Sequence, residues 1–125
     1  MLVEEELKRF EGTWRYETTV VEGLVLPDGH LKDARLILQG DRFEMTDPMA
    51  NYRGTFTVDP TSNPKTIEVR FTEGPEAGKT SKGIYELEGD TYKVCIGLAG
   101  RERPKVFASE PGSGHALQVL RRVDH

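Results

Sequence analysis

Few residue sets in this 125-residue chain have a spacing that chemistry demands. Gly74-Pro75-Glu76-Ala77-Gly78-Lys79-Thr80 approximates a phosphate-binding loop, but it is one residue short. It also leads into an extended segment where that motif needs a helix N-terminus, so it reads as a plain hairpin loop. The three histidines, His30, His115 and His125, never stand two or four positions apart, and Asp124 beside His125 lies at a chain end. Local spacing therefore assembles no zinc or haem site. His115 follows Gly112-Ser113-Gly114 at a strand start and is the one histidine placed to meet a ligand or metal; its ordinary role is to pack at a rim or to bond a loop carbonyl. Ser113 and His115 suggest a nucleophile and base, but no G-x-S-x-G turn exists and nothing in that spacing brings the two side chains together. Cys95 is expected on an outer face, opposite in direction to Val94 and Ile96, as a packed and inert thiol. No catalytic set, metal site or cofactor site is expected.

The elements that must position any site are strands. A short helix comes first, over Met1 to Phe10, with Val3, Leu7 and Phe10 on one face. Glu4, Glu5 and Glu6 in its first turns and Lys8 and Arg9 in its last suit the helix dipole, and Gly12 marks its end. The period then changes to two. Trp14, Tyr16, Thr18 and Val20 alternate with polar residues, as do Leu36 and Leu38, Phe43 and Met45, Tyr52 to Val58, and Ile67 to Phe71. Such alternation marks antiparallel sheet with one buried face. Gly40-Asp41 and Gly89-Asp90 are two-residue hairpin turns of type I′ or II′. Turning there pairs Leu38 with Phe43 and Leu36 with Met45. It also pairs Leu87 with Tyr92, Tyr85 with Val94, Gly83 with Ile96 and Glu86 with Lys93. Each apolar set lands on one face, which a one-residue slip would scramble. Asp47-Pro48, Asp59 to Pro64, Gly74 to Gly78, Gly97 to Pro104 and Pro111 to Gly114 read as loops. Eight strands result, the last over His115 to Val123, with a short ninth at Val106 and Phe107. No linker divides the chain, so residues 1–125 form one domain.

The inward set is the strongest functional feature. Tyr16, Phe43, Met45, Tyr52, Phe56, Phe71, Tyr85 and Tyr92 would line one interior, joined by Trp14, Val69, Val94 and Val119. Apolar walls with a few hydroxyls suit a small-molecule pocket, and the same side chains also suit a filled core. Gly54 and Gly83 on that face either leave room or relieve strand crowding.

Composition excludes other classes. Hydrophobic residues make up 36% and charged residues 30%, polar but adequate for a core. A net charge of −4 and no run of Lys or Arg argue against nucleic acid or an anionic membrane surface as partner. Glu4 to Glu6 stand where a signal peptide needs positive charge, and no segment is long and apolar enough to span a bilayer. One cysteine allows no internal disulfide and fits a reducing compartment. The cytoplasm is the default expectation, with a secreted parent trimmed of its leader as the alternative.

Gly12-Thr13-Trp14, after a short helix and opening the first strand, resembles the Gly-x-Trp signature of lipocalins. That resemblance implies that Trp14 fills the closed end of a barrel and that an Arg of the last strand packs over it. Arg121 shares a face with Leu117 and Val119 and is favoured over Arg122 for that role. The whole chain is also similar to a lipocalin-like family of small bacterial proteins, many of them from planctomycetes. The likeness runs through Phe10 to Trp14, Leu38 to Phe43, Pro64 to Ile67, Gly83 to Asp90, Gly100 to Pro104 and Pro111 to His115. It implies the fold and leaves the function open. The chain is shorter than secreted lipocalins and has no disulfide, which argues against carriage of a large ligand.

The expected fold is thus all-β, an antiparallel lipocalin-like barrel of eight or nine strands with a short N-terminal helix. Its expected function is binding of a small apolar or amphipathic molecule, oriented by Tyr hydroxyls or an inward Arg. The alternative is a protein-interaction module with a filled core; an enzyme ranks last. A connected cavity above about 300 Å³ would favour binding, and a filled core with an exposed apolar rim would favour interaction. The sequence leaves the oligomeric state open.

Overall fold

The computed structural model describes residues 3–26, 33–46, 51–98 and 101–123. Met1, His30, Asp47-Pro48, Asp124 and His125 lie outside them. Among the described residues one helix, α1 (Val3–Phe10), precedes nine strands: β1 (Gly12–Val21), β2 (Leu24–Val25), β3 (Arg35–Gln39), β4 (Arg42–Thr46), β5 (Asn51–Asp59), β6 (Lys65–Glu73), β7 (Thr80–Glu88), β8 (Thr91–Gly97) and β9 (His115–Arg122). From β3 onward each strand pairs antiparallel with the next, and β1 pairs with both β3 and β9. Eight strands therefore close into a barrel, and β2 is an extra strand beside the end of β1. The expected all-β lipocalin-like barrel is what forms. Its ninth strand is not at Val106 and Phe107, which make bends; it is β2, turned back through Glu22 and Gly23, both at positive φ.

Both Gly-Asp hairpins take the expected register, Leu38 opposite Phe43 and Leu87 opposite Tyr92. Gly40 and Gly89 each have φ of 59°, the position where type II′ turns require glycine.

Two faces differ from the alternation read in the sequence. The β1–β9 register shifts between Tyr16 and Thr18, so a bulge interrupts the period of two. Trp14 and Tyr16 point inward, but beyond the bulge Thr19 is buried while Thr18 is exposed. On β9 the inward residues are Ala116, Gln118 and Leu120, register partners of Val21, Thr19 and Tyr16. Val119 stands opposite the exposed Thr18, so it faces outward, contrary to expectation.

The outer wall of β7 and β8 carries a second apolar layer. Ile84 and Cys95 are buried there together with Pro104, and the Cys95 Sγ–H donates to the Ala108 carbonyl at 3.3 Å. Arg103 holds this strap down by donating to the carbonyls of Ile67 (3.0 Å) and Gly83 (2.7 Å). Cys95 is thus the packed thiol expected, and burial pushes its pKa up.

Gly54 and Gly83 serve crowding rather than room. A methyl group at Gly54 would overlap the Arg70 carbonyl oxygen and come within 2.6 Å of the Phe43 ring; at Gly83 it would come within 2.5 Å of the Cys95 carbonyl. Gly54→Ala is therefore expected to cost about 2 kcal/mol or more, because backbone cannot yield as a side chain does. Urea unfolding of the variant against wild type measures this.

Candidate functional site

The barrel interior divides into two halves. The half beside α1 is solid. Phe10, on the buried face of α1, meets Phe56, Tyr85 and Tyr92 with ring centroids 5.6, 5.1 and 5.2 Å apart. Trp14 is fully buried against Tyr92, and its indole N–H donates to the Phe10 carbonyl at 2.8 Å. That bond satisfies both the indole and an orphan carbonyl at the helix end.

The cation over Trp14 is Arg122, with its guanidinium carbon 4.4 Å from the ring. Arg121, favoured from the sequence, instead reaches Glu17 on the outer surface at 3.3 Å. The β1–β9 register explains the exchange, since Arg122 is the partner of Trp14 and Arg121 of Arg15. Arg122 also donates to the carbonyls of Glu11 and Arg9 and to Asp90, tying the helix end to the last strand. Gly12 has φ of 134°, and a methyl group on it would crowd the Arg122 side chain. Gly12 and Trp14 thus sit where expected, at the closed barrel end.

The helix face is also corrected. Val3 is exposed, and the buried members are Glu6 and Phe10, with Leu7 half-buried. Glu6 is a fully buried carboxylate. It accepts from the Tyr85 hydroxyl at 2.6 Å, from Arg9 at 2.7 Å and from Lys65 at 3.2 Å. Burial pushes its carboxyl up, but the bonds from Tyr85 and Lys65 and the charges of Lys65 and Arg9 outweigh that and hold it below the usual carboxylate range. The Tyr85 hydroxyl is shifted the other way, upward, by burial and by its bond to Glu6. Tyr85 therefore belongs to the closed end and does not line the open space.

That space is a cavity of about 190 Å³ in the half away from α1. Of the expected lining, Tyr16, Phe43, Met45, Phe56, Phe71 and Tyr92 border it. Tyr52 does not; it is half-buried with its ring 6.2 Å from Phe71. Further aliphatic walls come from each side of the barrel, and Leu98, 40% exposed, stands at the far end. The polar groups on the wall, besides the two Tyr hydroxyls, belong to Ser81 and Gln118. Burial, with Tyr16 nearby, pushes the Tyr92 hydroxyl up, so it stays protonated. Neither Ser81 nor Gln118 belongs to the lining expected from the sequence. The β7 alternation counted back from Gly83 reaches Ser81; Gln118 lies on the face of β9 opposite Leu117 and Val119, whose apolar side chains point a sequence reading the other way.

His115 is half-buried at the start of β9, and its carbonyl accepts from the Ser109 hydroxyl at 2.7 Å and from the Glu22 amide at 3.1 Å. Ser113 Oγ accepts from the His115 amide at 3.2 Å. Among the described residues no group of three or more His, Cys, Asp or Glu is placed to hold a metal. No helix among them is long and apolar enough to cross a membrane. No protein-family model matches the chain, and no curated protein matches it.

Two measurements check the closed end. Arg122→Ala should cost about 2 kcal/mol and red-shift the fluorescence of Trp14, the only tryptophan, whereas Arg121→Ala should cost less than about 1 kcal/mol. For Glu6 the folded pKa lies below its ordinary value of 4.5. Its contribution is therefore complete above pH 4.5 and is lost as pH falls through the folded pKa. Glu6→Gln should lower stability at pH 7 by roughly 2–3 kcal/mol, and the gap to wild type should close as the pH is lowered, both read from urea unfolding.

Proposed function

We propose that this barrel binds a small, predominantly apolar molecule. The observation that carries this reading is the 190 Å³ interior cavity with aromatic and aliphatic walls. It falls short of the roughly 300 Å³ at which ordinary ligand pockets begin. The occupant is accordingly small. At an interior packing density of about 0.74, the space holds roughly eight to ten non-hydrogen atoms. Apolar cavities of comparable size stay dry and accept benzene. At about 0.8 kcal/mol per buried carbon, such a ligand gains roughly 6–8 kcal/mol of burial, and the cost of immobilising it leaves a Kd on the order of 0.1–1 mM. The single, buried Cys95 thiol supports a reducing compartment such as the cytoplasm as the setting.

The alternative, an interaction module without a ligand, draws on Leu24 (68% exposed) and Val25 (63% exposed) of the extra strand β2. Their apolar side chains form an exposed rim of the kind such a module would use.

Ethylbenzene decides between the two. On titration it should shift NMR signals of Met45 and its neighbours with a Kd on the order of 0.1–1 mM. Ala116→Phe, which pushes a ring into the cavity, should abolish that response and leave thermal unfolding within a few degrees of wild type. Wild-type protein that shows no saturable shift would sink the binding reading and move the assignment to the interaction module.

A further inference from the structure

Resting on that reading, the interior wall also specifies the ligand's polar end. The described lining contains no Lys, Arg, His, Asp or Glu. An ion placed there would lose its hydration and meet no counter-charge. Arg122, the inward-side cation of β9, is spent outside the closed end on Trp14, Asp90 and two carbonyls. Glu6 is sealed behind Phe10 and Tyr85 with its own cations. Neither the inward Arg nor the Tyr85 hydroxyl expected from the sequence is available to orient a ligand.

What the cavity offers instead is neutral. Ser81 and Gln118 border it, and among the described residues neither has a side-chain partner. Beside Gln118, directly across the β1–β9 register, stands Thr19, 3% exposed, whose hydroxyl is buried with no hydrogen-bond partner. Register partners of this kind have Cβ atoms about 5 Å apart. A carboxamide has two donor hydrogens and an acceptor oxygen, enough to serve Thr19 and a ligand together. An orphaned buried hydroxyl is uncommon in a folded protein and calls for a reason.

We infer that the cavity takes an uncharged molecule with one hydrogen-bonding group, an alcohol, amide or phenol on a small apolar body, and that Gln118 and Ser81 bind that group. The apolar body lies among Phe43, Phe56 and Phe71. Gln118 is the principal contact because it brings donors and an acceptor; Ser81 adds one of each.

Four probes with one shared ring test this: benzyl alcohol, its near-isostere ethylbenzene, benzoate and benzylammonium. Affinities come from NMR titration of the intact chain. Benzyl alcohol should bind at least tenfold more tightly than either ion. Gln118→Leu should weaken benzyl alcohol fivefold or more and leave ethylbenzene within twofold; Ser81→Ala should act in the same sense more mildly. Benzoate or benzylammonium binding as tightly as the alcohol would overturn the inference, a comparison that needs only wild-type protein. Equal weakening of both neutral probes by Gln118→Leu would overturn it as well, as would ethylbenzene binding alone; in both cases the apolar cavity reading stands. If none of the four binds, that reading fails and the inference with it.

Discussion

The pairing of β1 with β9 is the constraint on which the rest of this molecule depends. Without it the sheet would keep two long unpaired edges and an open apolar face, a template for aggregation. With it, every inward side chain has an opposite wall. The pairing is not uniform, because the bulge after Tyr16 inserts one unmatched residue. That residue changes what each half of the barrel contains. Before it β1 sends in Trp14 and Tyr16, large rings that fill space. After it β1 sends in Thr19 opposite Gln118, smaller and polar. A regular β1 continuing from Tyr16 opposite Leu120 would have placed Thr18 opposite Gln118 and Val20 opposite Ala116, both inside.

The two ends handle polarity in opposite ways. At the helix end a carboxylate is fully buried, a situation that costs several kcal/mol unless donors surround it. Glu6 has three, from two cations and a tyrosine, and it locks α1 to β6 and β7. Arg122 does the complementary task from the other side, neutralising the exposed carbonyls at the end of α1. The helix is thus a stopper fixed by charge at both edges and by aromatic packing at its centre. The far end has no comparable network among the described residues, and there the interior stays open.

Much of the fold was legible because two independent signals agreed. The Gly-Asp turns and the alternation on either side of them point to a single register, and β3–β4 and β7–β8 adopt it. Most of the aromatic interior followed from the same alternation. Two features of this seam are concealed in the sequence. A bulge has no composition signature in Gly12–Val21, so alternation does not give the face of β1 beyond it. On β9 both faces carry apolar residues, Leu117 and Val119 on one and Ala116 and Leu120 on the other, so alternation does not choose between them or between Arg121 and Arg122. Glu6 was concealed differently: three consecutive glutamates look alike in a first helical turn, and only the tertiary approach of Lys65 and Tyr85 distinguishes one of them. Tyr85 shares the inward face with the cavity residues but not their depth, because alternation gives the face of a strand and not the position along the barrel.

The closure between the first and last long strands also governs how the molecule can be made. α1 and the start of β1 join through a local bond, Trp14 to Phe10, and the hairpins of β3–β4 and β7–β8 close over short turns. The seam between Trp14 and Arg122 spans 108 positions of chain. Contacts this distant in sequence slow folding, because a long loop must be ordered before they return any free energy. During synthesis β1 leaves the ribosome first and its partner β9 last. The meander can assemble as it emerges, but the edge of β1 must wait for nearly the whole chain, exposed beside Tyr16 and Val20. The almost complete barrel, one strand short, is therefore the folding species that still presents an unpaired edge on β1 and another on β8.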